Sequence, residues 1–218
     1  MGSGSYSSGY GALAFGYQST AYGGVGLGYA SYASGTGSAA IGYSNYSSGS
    51  GTTSLGYDNT AQSNYSTSIG YSNYVSSANG GVAIGYDNDA RAYYAISMGY
   101  SNYVNGYAGV ALGYDHNVSG YYAVALGRNN SASDYASTVI GQYNSSGSSV
   151  TNNAISFSTS NTAFVIGNGT ASNAKSDAFK VMFNGDTTVS NDLTVSGDVN
   201  ISSDARLKSN IVSLGSTL

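Results

Sequence analysis

Residues 82–86 read Val-Ala-Ile-Gly-Tyr, and this alternation of apolar and small residues ending in glycine returns along most of the chain. An apolar-glycine pair occurs ten times, and successive glycines lie 12, 14, 14, 14, 15, 14, 14, 14 and 14 residues apart. The pairs are Phe15-Gly16, Leu27-Gly28, Ile41-Gly42, Leu55-Gly56, Ile69-Gly70, Ile84-Gly85, Met98-Gly99, Leu112-Gly113, Leu126-Gly127 and Ile140-Gly141. Disordered low-complexity sequence has no reason to keep such a register, so the period predicts a repeating fold.

The residue two positions before each apolar anchor is usually apolar or β-branched, as Val82 is before Ile84. Side chains that alternate in this way indicate a short β-strand. A period of 14 residues suits one coil of a β-solenoid with two short strands. We expect the glycine to lie where the chain turns, followed by turn formers such as Ser-Asn or Asp-Asn. Ten coils stacked at the interstrand spacing would span roughly 45–50 Å.

Composition sets the next limits. The chain has 218 residues, of which 41% are hydrophobic and 7% charged, with 32 Gly, 23 Tyr and no Pro, Trp or Cys. Large aliphatic residues are sparse, so we expect several chains to associate in order to bury the apolar column. The net charge is −4 and the chain has only six Lys and Arg residues, which argues against nucleic acid as a partner. No stretch approaches the roughly 20 apolar residues of a membrane span, so no membrane insertion is expected.

Tyrosine follows the glycine in eight of the coils, and the series is broken at Arg128 and Gln142. We expect these tyrosines to form a ladder along the stack. The ladder is a candidate binding surface, because aromatic faces suit sugar rings, and mutual stacking that stabilises the rod is the favoured alternative. The candidate binding residues are Tyr43, Tyr57, Tyr71, Tyr86, Tyr100 and Tyr114.

The texture changes after about residue 158. Residues 163–167 and 178–183 read as strands, and Asn184-Gly185-Asp186 is a strong turn signal. We predict four regions: an N-terminal lead-in (1–11), the 14-residue repeats (12–157), an intertwined β stalk (158–202) and a last segment (203–218).

The repeats at 82–85, 110–113 and 124–127 resemble the head domains of trimeric YadA-like adhesins. That resemblance covers roughly residues 12–157. It implies an all-β fold, a left-handed parallel β-roll or solenoid of about ten coils, closed as a homotrimer.

The sequence Ser203-Asp204-Ala205-Arg206-Leu207-Lys208 resembles the opening of the peptidase S74 family, the intramolecular chaperone of tail fibres and endosialidase-type tailspikes. The resemblance implies self-cleavage between Ser203 and Asp204, with Ser203 as nucleophile and Lys208 as its base. Ser203 as a helix N-cap is the structural alternative. Because only about 15 residues follow Ser203, we expect no working chaperone within this chain, and at most a single-turnover cleavage rather than an enzyme.

Metal and cofactor chemistry have little support in the sequence. Asp58, Asp87 and Asp115 occupy equivalent coil positions, but surface turns explain them as well as a ring of carboxylates around a cation. His116 is the only histidine and lies in a predicted turn, so one chain cannot supply a histidine cluster. We expect no metal and no cofactor.

These observations predict a structural, extracellular protein. The favoured hypothesis is a homotrimeric fibre or receptor-binding protein of a phage or phage-like particle, located in the virion tail fibre, whose partner is a cell-surface glycan or protein. The alternative is the head of a bacterial trimeric autotransporter adhesin, which requires a signal peptide upstream and a membrane anchor downstream. A tailspike enzyme is a weaker alternative, because the coils offer few acids for a catalytic cleft.

Overall fold

A computed structural model describes residues 3–76, 79–145 and 153–197. Within these ranges the chain is all-β, and each coil of the predicted solenoid contributes one strand of five residues and one of two. The prediction of two short strands per coil is confirmed.

The five-residue strands form one face of the stack. They are β2 (Leu13–Tyr17), β4 (Val25–Tyr29), β6 (Ala39–Tyr43), β8 (Thr53–Tyr57), β10 (Thr67–Tyr71), β12 (Val82–Tyr86), β14 (Ile96–Tyr100), β16 (Val110–Tyr114), β18 (Val124–Arg128) and β20 (Thr138–Gln142). The two-residue strands form the other face: β1 (Tyr6–Ser7), β3 (Thr20–Ala21), β5 (Tyr32–Ala33), β7 (Tyr46–Ser47), β9 (Thr60–Ala61), β11 (Tyr74–Val75), β13 (Asp89–Ala90), β15 (Tyr103–Val104), β17 (Asn117–Val118) and β19 (Ser131–Ala132).

Both sheets are parallel along the stack, and each residue pairs with its equivalent in the next coil. Ile84 lies opposite Met98, for example, and Gly85 opposite Gly99. The first interval is two residues shorter than the others and the interval after Ile69 is one residue longer, yet the strands stay in register, with Leu13 opposite Val25 and Thr67 opposite Val82. The differences in length therefore fall in the corner before the long strand.

The interior of each coil is narrow and is filled by small residues. The middle residue of the long strand points inward, as do Ala83 and Ala111, and so does the second residue of the short strand. Valines at positions 75, 104, 118 and 139 enlarge this core in the second half of the stack. Inward hydroxyls bond to backbone carbonyls, as Ser54 does to Tyr46 at 2.9 Å. Small residues are required here because two sheets share so little enclosed space.

The repeated glycine lies inside the long strand and not in the turn, so the expectation for its position is wrong. Gly85 has φ +122, and a Cβ added there would lie 2.1 Å from the carbonyl oxygen of Gly99 in the next coil. Glycine is needed because the backbones approach too closely for any side chain. The turn follows two residues later, at Asp87 with φ +55.

The long sheet continues past the repeats. Strand β21 (Thr162–Asn168) pairs parallel with β20, with Gly141 opposite Gly167, although 26 residues separate these glycines. Residues 164–167 read Phe-Val-Ile-Gly and reproduce the long-strand pattern, with Val165 buried. We expected a separate stalk from residue 158, whereas this strand adds a further rung to the solenoid sheet.

Two antiparallel strands close this end of the sheet. They are β22 (Asp177–Met182) and β23 (Thr187–Val189), joined through the predicted turn at 184–186. Residues 190–197 are described and contain no strand.

Candidate association and binding surfaces

The outer side of the long sheet carries an uninterrupted apolar face. We use this term for the first and third residues of the ten long strands, β2 to β20. The third residue is 61% exposed at Phe15, 41% at Leu55 and 39% at Leu112, and it is partly covered in most other coils. A single chain therefore buries its small residues and leaves its larger aliphatic residues in contact with solvent. Contiguous apolar surface of this kind marks an interaction site.

The tyrosines that end the long strands form the predicted ladder along one edge of this face. The tyrosine ladder comprises Tyr17, Tyr29, Tyr43, Tyr57, Tyr71, Tyr86, Tyr100 and Tyr114. From Tyr29 onward the centroids of successive rings lie 4.6–4.9 Å apart and their planes differ by 2–4°. This is offset or parallel stacking, one of the favourable aromatic geometries.

Stacking covers the ring faces of the ladder. Each inner ring has a neighbour above and below, so that its edge and its hydroxyl group form most of the exposed surface. The pKa of Tyr57 is raised because the adjacent rings exclude water, and because Tyr43, Tyr71 and Asp58 disfavour a second negative charge beside them. This geometry supports a stabilising role, and a role of the six tyrosines in ligand binding stays a prediction.

The ladder ends at the predicted break. Arg128 occupies the next position, opposite Tyr114. Its guanidinium carbon lies 5.4 Å from the ring centroid of Tyr114 and 5.4 Å from that of Tyr143. The cation continues the aromatic column by cation–π contacts. Gln142 follows opposite Arg128.

A buried asparagine ladder lies inside the corner between the long and short strands. Asn59, Asn73, Asn88 and Asn102 are each at most 1% exposed. The side-chain oxygen of Asn73 accepts bonds from the backbone N–H and the side-chain amide of Asn88, at 3.1 and 2.9 Å. The amide of Asn73 donates to Ile69 and to Gly85 of the next coil, at 3.0 and 2.7 Å. Asn45, Asn130 and Asn144 occupy the same corner position in other coils.

The sequence analysis missed this ladder. The asparagines recur with the glycines and were read as turn formers, because Asn is common in turns. Their strict spacing was the available signal, since a surface turn would tolerate Ser, Asp or Gly at that position.

His116 replaces asparagine at one rung, and its side chain is buried rather than exposed in the turn. Its Nδ1 accepts the backbone N–H of Asn130 at 3.1 Å, and its Nε2 lies 3.2 Å from the carbonyl oxygen of Leu112. This pattern requires the neutral ring with the proton on Nε2. Burial lowers the pKa of His116, and the neighbouring carbonyls only partly oppose that shift.

Several predicted site residues cannot be placed. Ser203, Asp204 and Lys208 lie outside the described residues. Asp58, Asp87 and Asp115 are described and lie one per coil at exposed corners of the stack. Among the described residues no group of three or more His, Cys, Asp or Glu side chains is placed to hold a metal ion.

Over the same ranges, the chain has no helix of the length and apolarity that crossing a bilayer requires.

The fold and its surfaces thus define a repetitive β-solenoid with one exposed apolar face. Comparison with known families agrees with this description: the model of the YadA head domain repeat (2 copies) matches residues 7–24, 20–45, 47–73 and 119–144. Three of these matches span nearly two coils each, like the paired repeat that the model represents. Neither the curated proteins nor the solved structures contain a match to this chain.

Proposed function

We propose that three copies of this chain associate through their apolar faces to form an extracellular fibre segment, and that the segment takes part in attachment of a phage or phage-like particle to its host. The observation that carries the proposal is the apolar face itself. Burying one large aliphatic side chain contributes about 1.5–3 kcal/mol, and the face offers such side chains in nearly every coil.

Closed association about a threefold axis would cover the face on every subunit. The same surface recurs along the whole stack, so the contact would be long and would fix the subunits in register. Cyclic symmetry also explains how an extended face is buried without open-ended aggregation. The match to YadA head repeats supports a trimer, since the head domains that these repeats resemble are trimeric adhesin heads.

The trimer is tested by replacing Leu55 with Glu. Leu55 is 41% exposed in the single chain, so the substitution leaves the coil intact but places a charge in the interface. We expect light scattering to give a trimer for the wild type and a monomer for Leu55→Glu.

Thr60→Glu is the matched control, because Thr60 lies in the same coil on the opposite sheet. It should leave the trimer intact. A monomeric wild type, or equal dissociation of both variants, would contradict the proposal.

A bacterial adhesin head would share this fold and this interface. The resemblance of residues 203–208 to a tail-fibre chaperone junction favours the particle fibre. Mass spectrometry of purified particles and of bacterial outer-membrane fractions separates the two functions, because the fibre hypothesis expects the chain in the particles. Recovery in the membrane fraction alone would favour the adhesin.

A further inference from the structure

A polar cavity of about 210 Å³ opens at the end of the tyrosine ladder. Asp115, Asn129 and Tyr143 line it from successive coils at the same corner position. The loop after β21 supplies Ser172 and Lys175 on the facing side. The cavity therefore exists only where the repeats meet the closing strands.

The residues around this cavity depart from the repeat. Arg128 replaces the ladder tyrosine beside it, and His116 replaces the buried asparagine behind Asp115. Asn129 and Tyr143 occupy a corner position that holds Ser or Asp in most preceding coils. A strict repeat presents the same surface in every coil, so a unique site requires departures of this kind.

The polar groups of the cavity are arranged around open space. The carboxylate of Asp115 accepts a hydrogen bond from the Asn129 amide, whose own oxygen has no hydrogen-bond partner. Lys175 faces the same cavity, but the one ion pair within 4.0 Å among the described residues joins Arg91 and Asp89 elsewhere. Asp115 and Lys175 thus leave a carboxylate acceptor and an ammonium donor for a ligand.

This combination suits a sugar unit. Hydroxyl groups both donate and accept, so one sugar can bond to a carboxylate and to an ammonium at once. Tyr143 adds an aromatic wall for the apolar side of the ring. One carboxylate and one ammonium leave the lining without net charge, which favours an uncharged ligand.

We propose that the cavity lined by Asp115, Asn129, Tyr143 and Lys175 binds a neutral saccharide unit. The proposal rests on the proposed attachment function and names the ligand class and the place of contact. A trimer would carry three such sites at the level where the tyrosine ladder ends.

Saturation-transfer NMR on the intact protein tests the proposal, with the methyl glycosides of glucose, galactose, mannose and N-acetylglucosamine as probes. We expect transfer to at least one of these glycosides. Asp115→Asn should weaken its binding about tenfold or more, because a hydrogen bond to a charged group is lost. Lys175→Gln should weaken it in the same direction.

Asp87→Asn is the matched control, since Asp87 has the same corner position and backbone conformation two coils earlier, where no cavity forms. It should bind as the wild type does. Equal effects of Asp87→Asn and Asp115→Asn would place the site elsewhere, and a preference for uronic or sialic acids over the neutral glycosides would overturn the ligand class.

Absence of transfer to all four glycosides would also overturn the proposal. Light scattering on the same samples separates this failure from failure of the proposed function. A trimer that binds no sugar contradicts only the saccharide site, whereas a monomer contradicts the fibre.

Discussion

At the scale of single residues, the buried asparagine is the main polar determinant of the coil. Its amide and its oxygen bond to the coils on both sides, so every donor and acceptor of the side chain is used inside the stack. Removing one partner from such a network leaves buried polar groups without hydrogen bonds, and that loss costs more than the bond itself contributes.

Asn73→Ala should lower the free energy of unfolding by about 2–4 kcal/mol per chain, because the oxygen of Asn59 and the N–H of Asn88 lose a buried partner. Denaturant unfolding measures the change. Asn105→Ala is the control, since Asn105 is exposed in a turn. Similar values for both variants would show that the ladder contributes little.

His116 should make the stability of the stack depend on pH. Its pKa in the folded chain is lowered by burial, whereas an unfolded histidine titrates near about 6.5. Below that pH the unfolded state binds more protons than the folded state. The stabilisation is therefore complete above about pH 6.5 and decreases as the pH falls towards the lowered pKa.

His116→Asn should remove this dependence by restoring the asparagine rung. Thermal unfolding at pH 7.5 and pH 5.5 should show a larger decrease for the wild type than for the variant. Equal decreases in both proteins would rule out His116 as the titrating group.

At the scale of the strand, the glycine decides how closely the coils can stack. Its position could be read from the sequence, but its reason could not. Alternation predicts the long strand over residues 82–86, and glycine ordinarily signals a turn, so the two signals conflict at Gly85. The close approach of the Gly99 carbonyl resolves the conflict, and it is a contact between coils that a local pattern does not contain.

Gly85→Ala should destabilise the chain by about 3 kcal/mol or more, because the added methyl group meets backbone that cannot move independently of the next coil. Circular dichroism during thermal unfolding measures the loss. Gly37→Ala is the control: Gly37 also has positive φ, at +66, but its added Cβ meets no atom within 4 Å. It should cost about 1 kcal/mol. Comparable losses would mean that backbone conformation, and not the contact between coils, makes glycine necessary.

At the scale of the whole molecule, the last segment carries the remaining prediction. If the bond after Ser203 is cleaved, subunits from native particles should have an intact mass that ends at Ser203. A mass that ends at Leu218 would contradict processing. In particles produced from the complete gene, Ser203→Ala should abolish the shortened form, because the nucleophile is lost.

Ser202→Ala is the matched control and should leave the shortened form unchanged. Loss of cleavage in both variants would assign the effect to local conformation and not to the hydroxyl of Ser203.

The sequence by itself determined the 14-residue coil, the two strands in it and the tyrosine ladder. A fixed period with alternating side chains allows one register only, and equivalent residues must then stack on one another. The tertiary structure decided which side of the strand is inside. Ala83 faces inward and Ile84 outward because the two sheets of so short a coil leave room only for small side chains. It also turned the asparagines into the corner, added β21 to the long sheet and formed the cavity beside Asp115, since each depends on contacts between residues far apart in the chain.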